Sequence, residues 1–200
     1  MLYIPSEDSI LLANCLKDYS GNIALDIGVG SGIITRALCE NFKKVVGTDL
    51  EFEILKKCNE DVVSNTSKDS NKKLKNERGF ELVCADAASA FRNNIFDLVV
   101  SNPPYLPEDY DNEGMKIHDE AIYGGKSGIE VTLKIIKSSL ATLKREGKLL
   151  IIVSSLSDIS RLQEFLELLN LNMKKIVEKR LFFETLSVVE IGLKKESNLD

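Results

Sequence analysis

Short buried runs alternate with helical patterns along this chain, and that alternation constrains the fold more than any other feature. The apolar runs are rich in β-branched residues and bounded by turn residues, as is typical of buried strands. They cover residues 23–27, 45–49, 80–84, 98–100 and 148–153, with helical patterns over 31–41, 51–63 and 130–143. Because parallel strands need crossover connections, the alternation predicts an α/β fold: a doubly wound, mostly parallel sheet with helices on both faces.

Two further strand patterns, at residues 172–178 and 187–193, are separated by only about eight residues. That connection is too short for a parallel crossover, so we predict an antiparallel hairpin at the end of the sheet. The helix that begins at Glu130 is expected to end in basic residues followed by Gly147 as a C-terminal glycine. Ser6 is expected to cap the first helix.

Composition excludes several classes of protein. The 200 residues fit one domain, which we expect to span residues 1–200, with 1–20 as a lead-in and first helix. The net charge of −5 argues against non-specific binding to nucleic acid or membrane surfaces. Four scattered cysteines and one histidine predict no metal site, and the cysteines are expected to be buried free thiols in a reducing cytoplasm. No segment is long enough to span a bilayer.

Two polar stretches interrupt the pattern. Residues 64–78 carry five basic and two acidic side chains, a net charge of +3 in an acidic chain. This stretch is either a solvated surface loop or a basic lip that faces the substrate. Residues 108–126 are long enough to form a lid or binding loop.

A glycine-rich loop follows the first predicted strand and opens the next helix. It contains Gly28, Gly30 and Gly32, while Ile33 stands where a dinucleotide-binding fingerprint has its last glycine. A strand, a glycine loop and a helix in this order let the backbone approach a ligand closely.

An acidic residue marks the carboxyl end of each of the first three predicted strands: Asp26, Asp49 and Asp86. Three acids at one edge suit a cation better than a pyrophosphate, and S-adenosylmethionine carries a sulfonium, an ammonium and a ribose but no phosphate. We expect Asp26 to reach the ammonium, Asp49 the ribose hydroxyls and Asp86 the adenine amino group. The neighbouring Leu50 and Ala87 complete this predicted contact set.

The fourth predicted strand stops at Asn102, Pro103, Pro104 and Tyr105. Prolines cannot donate ladder hydrogen bonds, so the strand ends here. Open α/β sheets bind ligands at the carboxyl ends of their strands, which is where these residues lie. Asn102 Oδ1 and a carbonyl of the proline pair can each accept one proton of a planar NH2 group, and Tyr105 can cover its flat face. All four residues are catalytic candidates, and Asn102 is also expected to contact the cofactor.

These motifs resemble class I methyltransferases that modify amide or exocyclic amino groups. A closer resemblance is to the HemK-like glutamine methyltransferases of class 1 translation release factors, in their short archaeal and eukaryotic form. It is carried by Asp26-x-Gly28-x-Gly30-x-Gly32 with Asn102–Tyr105, by Tyr3-x-Pro5-x-Glu7-Asp8-Ser9, by Ala121-x-x-Gly124-Gly125-Lys126-x-Gly128 and by Glu184-Thr185-Leu186-Ser187-Val188. The charged stretch at 64–78 departs from the family pattern.

The resemblance implies a Rossmann-like fold of seven strands with an antiparallel last strand. It implies S-adenosylmethionine-dependent methylation of the glutamine amide in a Gly-Gly-Gln loop of a release factor, in the cytoplasm. It further implies a small zinc-binding activator protein as partner, and a place for Ser9 beside the cofactor. For Gly124-Gly125, substrate docking and a flexible turn both stay open.

Two other functions compete with this interpretation. The same acceptor set could hold the exocyclic amine of adenine in DNA or RNA, but that reaction needs base flipping and a basic channel, which this acidic chain does not suggest. A cofactor-binding partner subunit without turnover is the second alternative.

Overall fold

The structure is a computed structural model that describes residues 7–68, 79–108 and 122–194, with the backbone alone over 62–68. Some sequence predictions fall outside these residues. They concern Tyr3, Pro5, Ser6, Ala121, the loop residues 69–78 and most of the predicted lid at 108–126. The extent of the domain, residues 1–200, stays a prediction.

Helices and strands alternate through the described residues. The helices are α1 (Glu7–Cys15), α2 (Ile33–Asn41), α3 (Phe52–Lys68), α4 (Glu130–Thr142) and α5 (Ile159–Leu168). The strands are β1 (Gly21–Ile27), β2 (Phe42–Asp49), β3 (Gly79–Cys84), β4 (Phe96–Ser101), β5 (Leu143–Ser154), β6 (Leu171–Arg180) and β7 (Thr185–Leu193).

The seven strands form one sheet in the order β3-β2-β1-β4-β5-β7-β6. The first five strands pair in parallel, whereas β7 runs antiparallel to both β5 and β6. The predicted sheet and its terminal hairpin are therefore confirmed. Because the first five strands point the same way, their carboxyl ends lie along one edge, called here the carboxyl edge.

Helices cover both faces of the sheet, which explains why the central strands are apolar at almost every position. Alternate side chains of β4 enter two different buried clusters. Leu98 packs in a cluster that includes Leu12 of α1. Val99 packs in the opposite cluster, with Ile136 of α4 and Leu162 of α5.

The predicted end of α4 is wrong. The helix ends at Thr142 and β5 begins with the next residue, so Gly147 lies in a strand instead of capping a helix. The register between β4 and β5 shifts here, and residues 144–147 bulge from the ladder. A Cβ on Gly147 would lie 2.9 Å from the carbonyl oxygen of Phe96, so close backbone approach is the reason for this glycine.

α3 is longer than predicted. It extends to Lys68, so the first part of the charged stretch is helix instead of loop. The sequence pattern ends at Val63 because Ser64, Asn65 and Thr66 have weak helix propensity. None of the helices in the described ranges has the length and apolar composition needed to cross a bilayer.

We predict that Leu98→Ala lowers the free energy of unfolding by about 2–5 kcal/mol, because it leaves a cavity at a side chain that is 1% exposed. Urea unfolding measures this change. Leu168→Ala is the matched control, since Leu168 is 86% exposed and its truncation is expected to cost less than about 0.5 kcal/mol. Equal losses in the two variants would contradict the assignment of Leu98 to the core.

Candidate active site

The glycine loop leaves open space at the carboxyl end of β1. Gly28, Gly30 and Gly32 have φ angles of 77°, 47° and 73°, a region that favours glycine. The amides of Gly28 and Val29 donate to the carbonyl of Thr48 over 2.8 and 3.1 Å, which ties the loop to β2. A Cβ on Gly28 would meet no atom within 4 Å, so the space that its missing side chain leaves is available to a ligand.

Asp26 is fully buried behind this loop. Burial raises the pKa of its carboxyl group, and the nearby Asp49 raises it further. Hydrogen bonds from Thr35 lower it in part, so that the resulting pKa is about 7. Thr35 Oγ1 donates to Asp26 Oδ2 over 2.6 Å. Asp26 is therefore held by α2, and its burial favours the neutral form of its carboxyl group.

Buried polar atoms collect around the glycine loop. Asp26 Oδ1, Ser31 Oγ and Thr48 Oγ1 have no hydrogen-bond partner within the part of the chain that the structure describes. Buried polar atoms are normally satisfied, here by an ordered water or by a polar group of a bound ligand. Together with the space at Gly28, this donor and acceptor set fits a ligand that carries an ammonium and hydroxyl groups, such as S-adenosylmethionine.

The other predicted cofactor residues lie farther along the carboxyl edge. Asp49 is the last residue of β2, where Oδ1 accepts from the amide of Glu51, and Leu50 beside it is 68% exposed. Asp86 follows β3 and forms an ion pair with Lys134 of α4, 2.6 Å between the charged atoms. The sequence did not predict this ion pair. An adenine amino group that bound the Asp86 carboxylate would share it with Lys134.

Ala87 is buried with a φ of 50°, which turns the chain sharply after Asp86. β3 and β1 are two strand spacings apart, roughly 10 Å. This separation suits an extended ligand with its polar groups at opposite ends.

Asn102, Pro103, Pro104 and Tyr105 follow β4 directly, beside the glycine loop. Ser101 Oγ donates to the carbonyl of Ile27 over 2.9 Å, which joins the ends of β4 and β1. Pro103 is buried and the other three residues are half-buried. The structure thus brings the predicted catalytic segment and the predicted cofactor loop to one place.

Helix α1 holds this segment through two side-chain hydrogen bonds. Asn102 Nδ2 donates to Ser9 Oγ over 3.0 Å, and Tyr105 Oη donates to Asp8 Oδ2 over 3.2 Å. Asp8 and Ser9 are both buried. Ser9 was predicted beside the cofactor and lies next to Asn102. Asp8 was missed as a site residue, although the motif Glu7-Asp8-Ser9 contains it.

A tight turn at residues 124–128 packs against the other side of the segment. A Cβ on Gly124 would lie 2.5 Å from the carbonyl oxygen of Pro104, and one on Gly128 would lie 2.4 Å from that of Tyr105. Ser157 Oγ also donates to the Tyr105 carbonyl, over 2.9 Å. Neither glycine has room for a side chain, so this turn sets the position of the two carbonyls.

Glu130 holds the same turn in place. It accepts from the amide and hydroxyl of Ser127 over 3.1 and 2.9 Å, and from Arg161 Nη1 of α5 over 2.5 Å. Burial raises the pKa of Glu130, but the hydrogen bonds from Arg161 and Ser127 outweigh it and bring the pKa to about 2. Sequence patterns did not reveal the part played by Arg161, which is 31 residues from Glu130 and 34 from Ser127 along the chain.

The described residues contain no cluster of three or more histidine, cysteine, aspartate or glutamate side chains that could hold a metal ion. All four cysteines are free, but only Cys39 and Cys58 are buried. The prediction of burial is wrong for Cys84, which is exposed, and for Cys15, which is half-buried.

Comparison with known proteins gives consistent matches. Residues 25–103 match a family model described as a methyltransferase domain. Over 191 residues the chain is 31% identical to a protein of Methanocaldococcus jannaschii provisionally named protein N5-glutamine methyltransferase, a match that covers 94% of this chain and 90% of that protein.

Bacterial relatives match over less of their length. The chain is 30% identical over 155 residues to the release factor glutamine methyltransferase of Clostridium botulinum, covering 72% of this chain and 52% of that protein. For the enzyme of Thermodesulfovibrio yellowstonii the identity is 27% over 147 residues, with 70% and 49% covered. The chain therefore spans about half the length of these bacterial relatives.

Solved structures share the fold. The structure of the E. cuniculi Mtq2–Trm112 complex, described as responsible for methylation of the eRF1 translation termination factor, matches with a TM-score of 0.72 at 25% identity, over 96% of this chain and 99% of that one. A methyltransferase from Pyrococcus furiosus matches with a TM-score of 0.64 at 20% identity, over 92% and 83% of the two chains. The fold is that of class I Rossmann-like methyltransferases.

We predict that Glu130→Gln makes the fold less sensitive to acid. The lowered pKa means that ionised Glu130 stabilises the folded state above pH 4.5, and this stabilisation is lost as the pH falls towards 2. Urea unfolding at pH 7 and pH 3 measures it. The variant should be less stable than wild type at pH 7 and should lose less on acidification.

Glu164→Gln, an exposed carboxylate on α5, is the control and should behave as wild type. An unchanged acid sensitivity in Glu130→Gln would contradict the proposed network.

Proposed function

Since the chain belongs to the protein N5-glutamine methyltransferase family, we propose that it methylates the side-chain amide nitrogen of a glutamine in the Gly-Gly-Gln loop of a class 1 translation release factor. The methyl donor is S-adenosylmethionine. The reaction belongs to the cytoplasm, where translation ends. The observation that carries this proposal is the position of Asn102 at the end of β4, fixed by Ser9 and adjacent to the glycine loop.

Asn102 and the proline pair would hold the substrate amide. Its NH2 group would donate one proton to Asn102 Oδ1 and the other to the carbonyl of Pro103. Tyr105, fixed through Asp8, would cover the flat face of the amide. The turn at 124–128 packs closely against the carbonyls of Pro104 and Tyr105, which supports a fixed backbone directly after Pro103.

The carboxyl edge would hold the cofactor. The open space beside Gly28 would accommodate its amino-acid part, with Asp26 near the ammonium. Asp49 would accept from the ribose hydroxyls, and Asp86 from the adenine amino group beside Leu50 and Ala87. When bound, the cofactor supplies a methyl group on a positively charged sulfur.

The chemical difficulty is the weak nucleophilicity of an amide nitrogen, whose lone pair is delocalised into the carbonyl. The two acceptors would align the nitrogen with the methyl group and favour the positive charge that develops on it during attack. The nitrogen would take the methyl group from the sulfur, so that a nitrogen–carbon bond would replace the sulfur–carbon bond. The nitrogen then releases a proton to water, so no dedicated base is required, and much of the rate comes from positioning.

A partner protein is part of the proposal. The E. cuniculi neighbour was solved as a complex with Trm112. We propose that this chain also pairs with a small zinc-binding activator. Affinity purification of the tagged chain from its own cells, followed by mass spectrometry and zinc analysis of a co-purifying small protein, tests this; recovery of the chain alone argues against the partner.

We predict that Asn102→Ala lowers kcat by roughly two or more orders of magnitude at saturating cofactor, because one oriented acceptor is lost. Transfer of labelled methyl to purified release factor, with duplex DNA and tRNA as competing substrates, measures it. The control is Asn22→Ala, an exposed asparagine at the start of β1. Near-normal turnover in Asn102→Ala would refute its role, and labelling of nucleic acid instead of release factor would refute the proposed substrate.

We predict that Asp26 links cofactor affinity to pH. Its pKa of about 7 should fall when an ammonium binds nearby, so binding of S-adenosylmethionine releases a proton and tightens as the pH rises from about 6 to 7, where the ligand's α-amino group is still protonated. Each unit by which the pKa falls corresponds to about a tenfold gain in affinity at high pH. Titration calorimetry in two buffers of different ionisation enthalpy counts the protons.

The Asp26→Asn variant should bind S-adenosylmethionine more weakly, and its binding should no longer release this proton. Asp18→Asn, an exposed acid before β1, is the control. Equal proton release in wild type and in Asp26→Asn would contradict the assignment of Asp26 to the cofactor site.

A further inference from the structure

Two phenylalanines stand in solvent at the turn between β6 and β7. Phe182 is 93% exposed and Phe183 is 73% exposed. Their rings contact each other edge to face, with centroids 4.7 Å apart and an angle of 78°. Aromatic rings bury large apolar areas when they pack against a partner. A contiguous pair of exposed rings is therefore a candidate protein-interaction surface.

The turn that carries these rings is anchored. The amide of Leu181 donates to the carbonyl of Glu184 over 2.8 Å, which closes the turn. Glu184 accepts from Ser154 Oγ at the end of β5 over 2.5 Å. Leu181 itself packs against the buried cluster below α1. The exposed rings therefore have a defined position above a fixed base.

The turn lies at the carboxyl edge of the sheet, as the candidate active site does. The amide of Thr185, at the start of β7, donates to Ser155 Oγ just beyond the end of β5. Two residues later in the chain, Ser157 holds the carbonyl of Tyr105. The turn is thus joined to the catalytic segment through residues 154–157.

The distance fits a protein-sized footprint. β7 is two strand spacings from β4, so the turn lies roughly 10–15 Å from Asn102 along the edge. A standard protein interface covers about 800 Å² on each partner, which is a disc of about 16 Å radius. A protein whose interface is centred near Asn102 would therefore cover the turn as well.

We propose that Phe182 and Phe183 form a docking patch for the folded domain of the release factor that carries the methylated glutamine. This inference rests on the proposed function and adds how the substrate protein is recognised. Because the two rings lie away from the reacting atoms, the patch contributes to binding of the substrate protein and not to the methyl-transfer step. Exposed aromatic anchors of this kind commonly carry a large share of interface energy.

The test replaces both rings, as Phe182→Ser with Phe183→Ser, in the full chain together with any activator that co-purifies with it. Steady-state methylation of intact release factor is measured. We expect KM for the release factor to rise at least tenfold while kcat stays within about twofold. The affinity for S-adenosylmethionine and the midpoint of urea unfolding should match wild type, because both rings are exposed.

Leu168→Ser is the matched control. Leu168 is 86% exposed at the end of α5, next to the opposite edge of the sheet. A wild-type KM in the double variant overturns the docking patch, and so does an equal rise in Leu168→Ser. A loss confined to kcat or to cofactor affinity also overturns it.

The two proposals can fail separately. If wild type transfers no methyl group to release factor, the proposed function fails and the docking patch fails with it. If wild type is active and the double variant keeps its KM, only the docking patch is refuted.

Discussion

The parallel register between β1 and β4 is the constraint on which the rest of this structure depends. It sets Asp26 beside Val100 and Ile27 beside Ser101. The Ser101 hydroxyl then bonds the Ile27 carbonyl at the point where both strands end. A slip of one residue would turn every side chain of β4 to the wrong face, which the buried clusters forbid. The closeness of the glycine loop and Asn102 is therefore a consequence of core packing.

Much of this arrangement could be predicted from the sequence, because each signal is local. Strands buried on both faces appear as continuous apolar runs, and those of β1, β2 and β4 were recognised for that reason. The direction of β7 followed from the shortness of the connection before it. Placement of the acids and of Asn102 at one edge followed from the parallel order, which the structure confirms. Their contacts with cofactor and substrate stay predictions.

What the sequence could not reveal depends on contacts between distant residues or on close backbone approach. Asp8 meets Tyr105 across 97 positions, and Glu130 meets Arg161 across 31. The need for glycine at 124 and 128 comes from the carbonyls of Pro104 and Tyr105, which no local pattern shows. The end of α4 was wrong because basic residues before a glycine are typical of a helix end, whereas here they form a bulge that Lys144 fastens to Asp97.

The position of α1 has a practical consequence. This helix holds the catalytic segment through the hydrogen bonds of Asp8 and Ser9, although it lies before the first strand of the sheet. A chain shortened from its amino end would retain every strand, but Asn102 and Tyr105 would lose their hydrogen bonds to α1 and Leu12 would leave the core. Material that proteases have trimmed past residue 8 is therefore a poor sample for any functional assay.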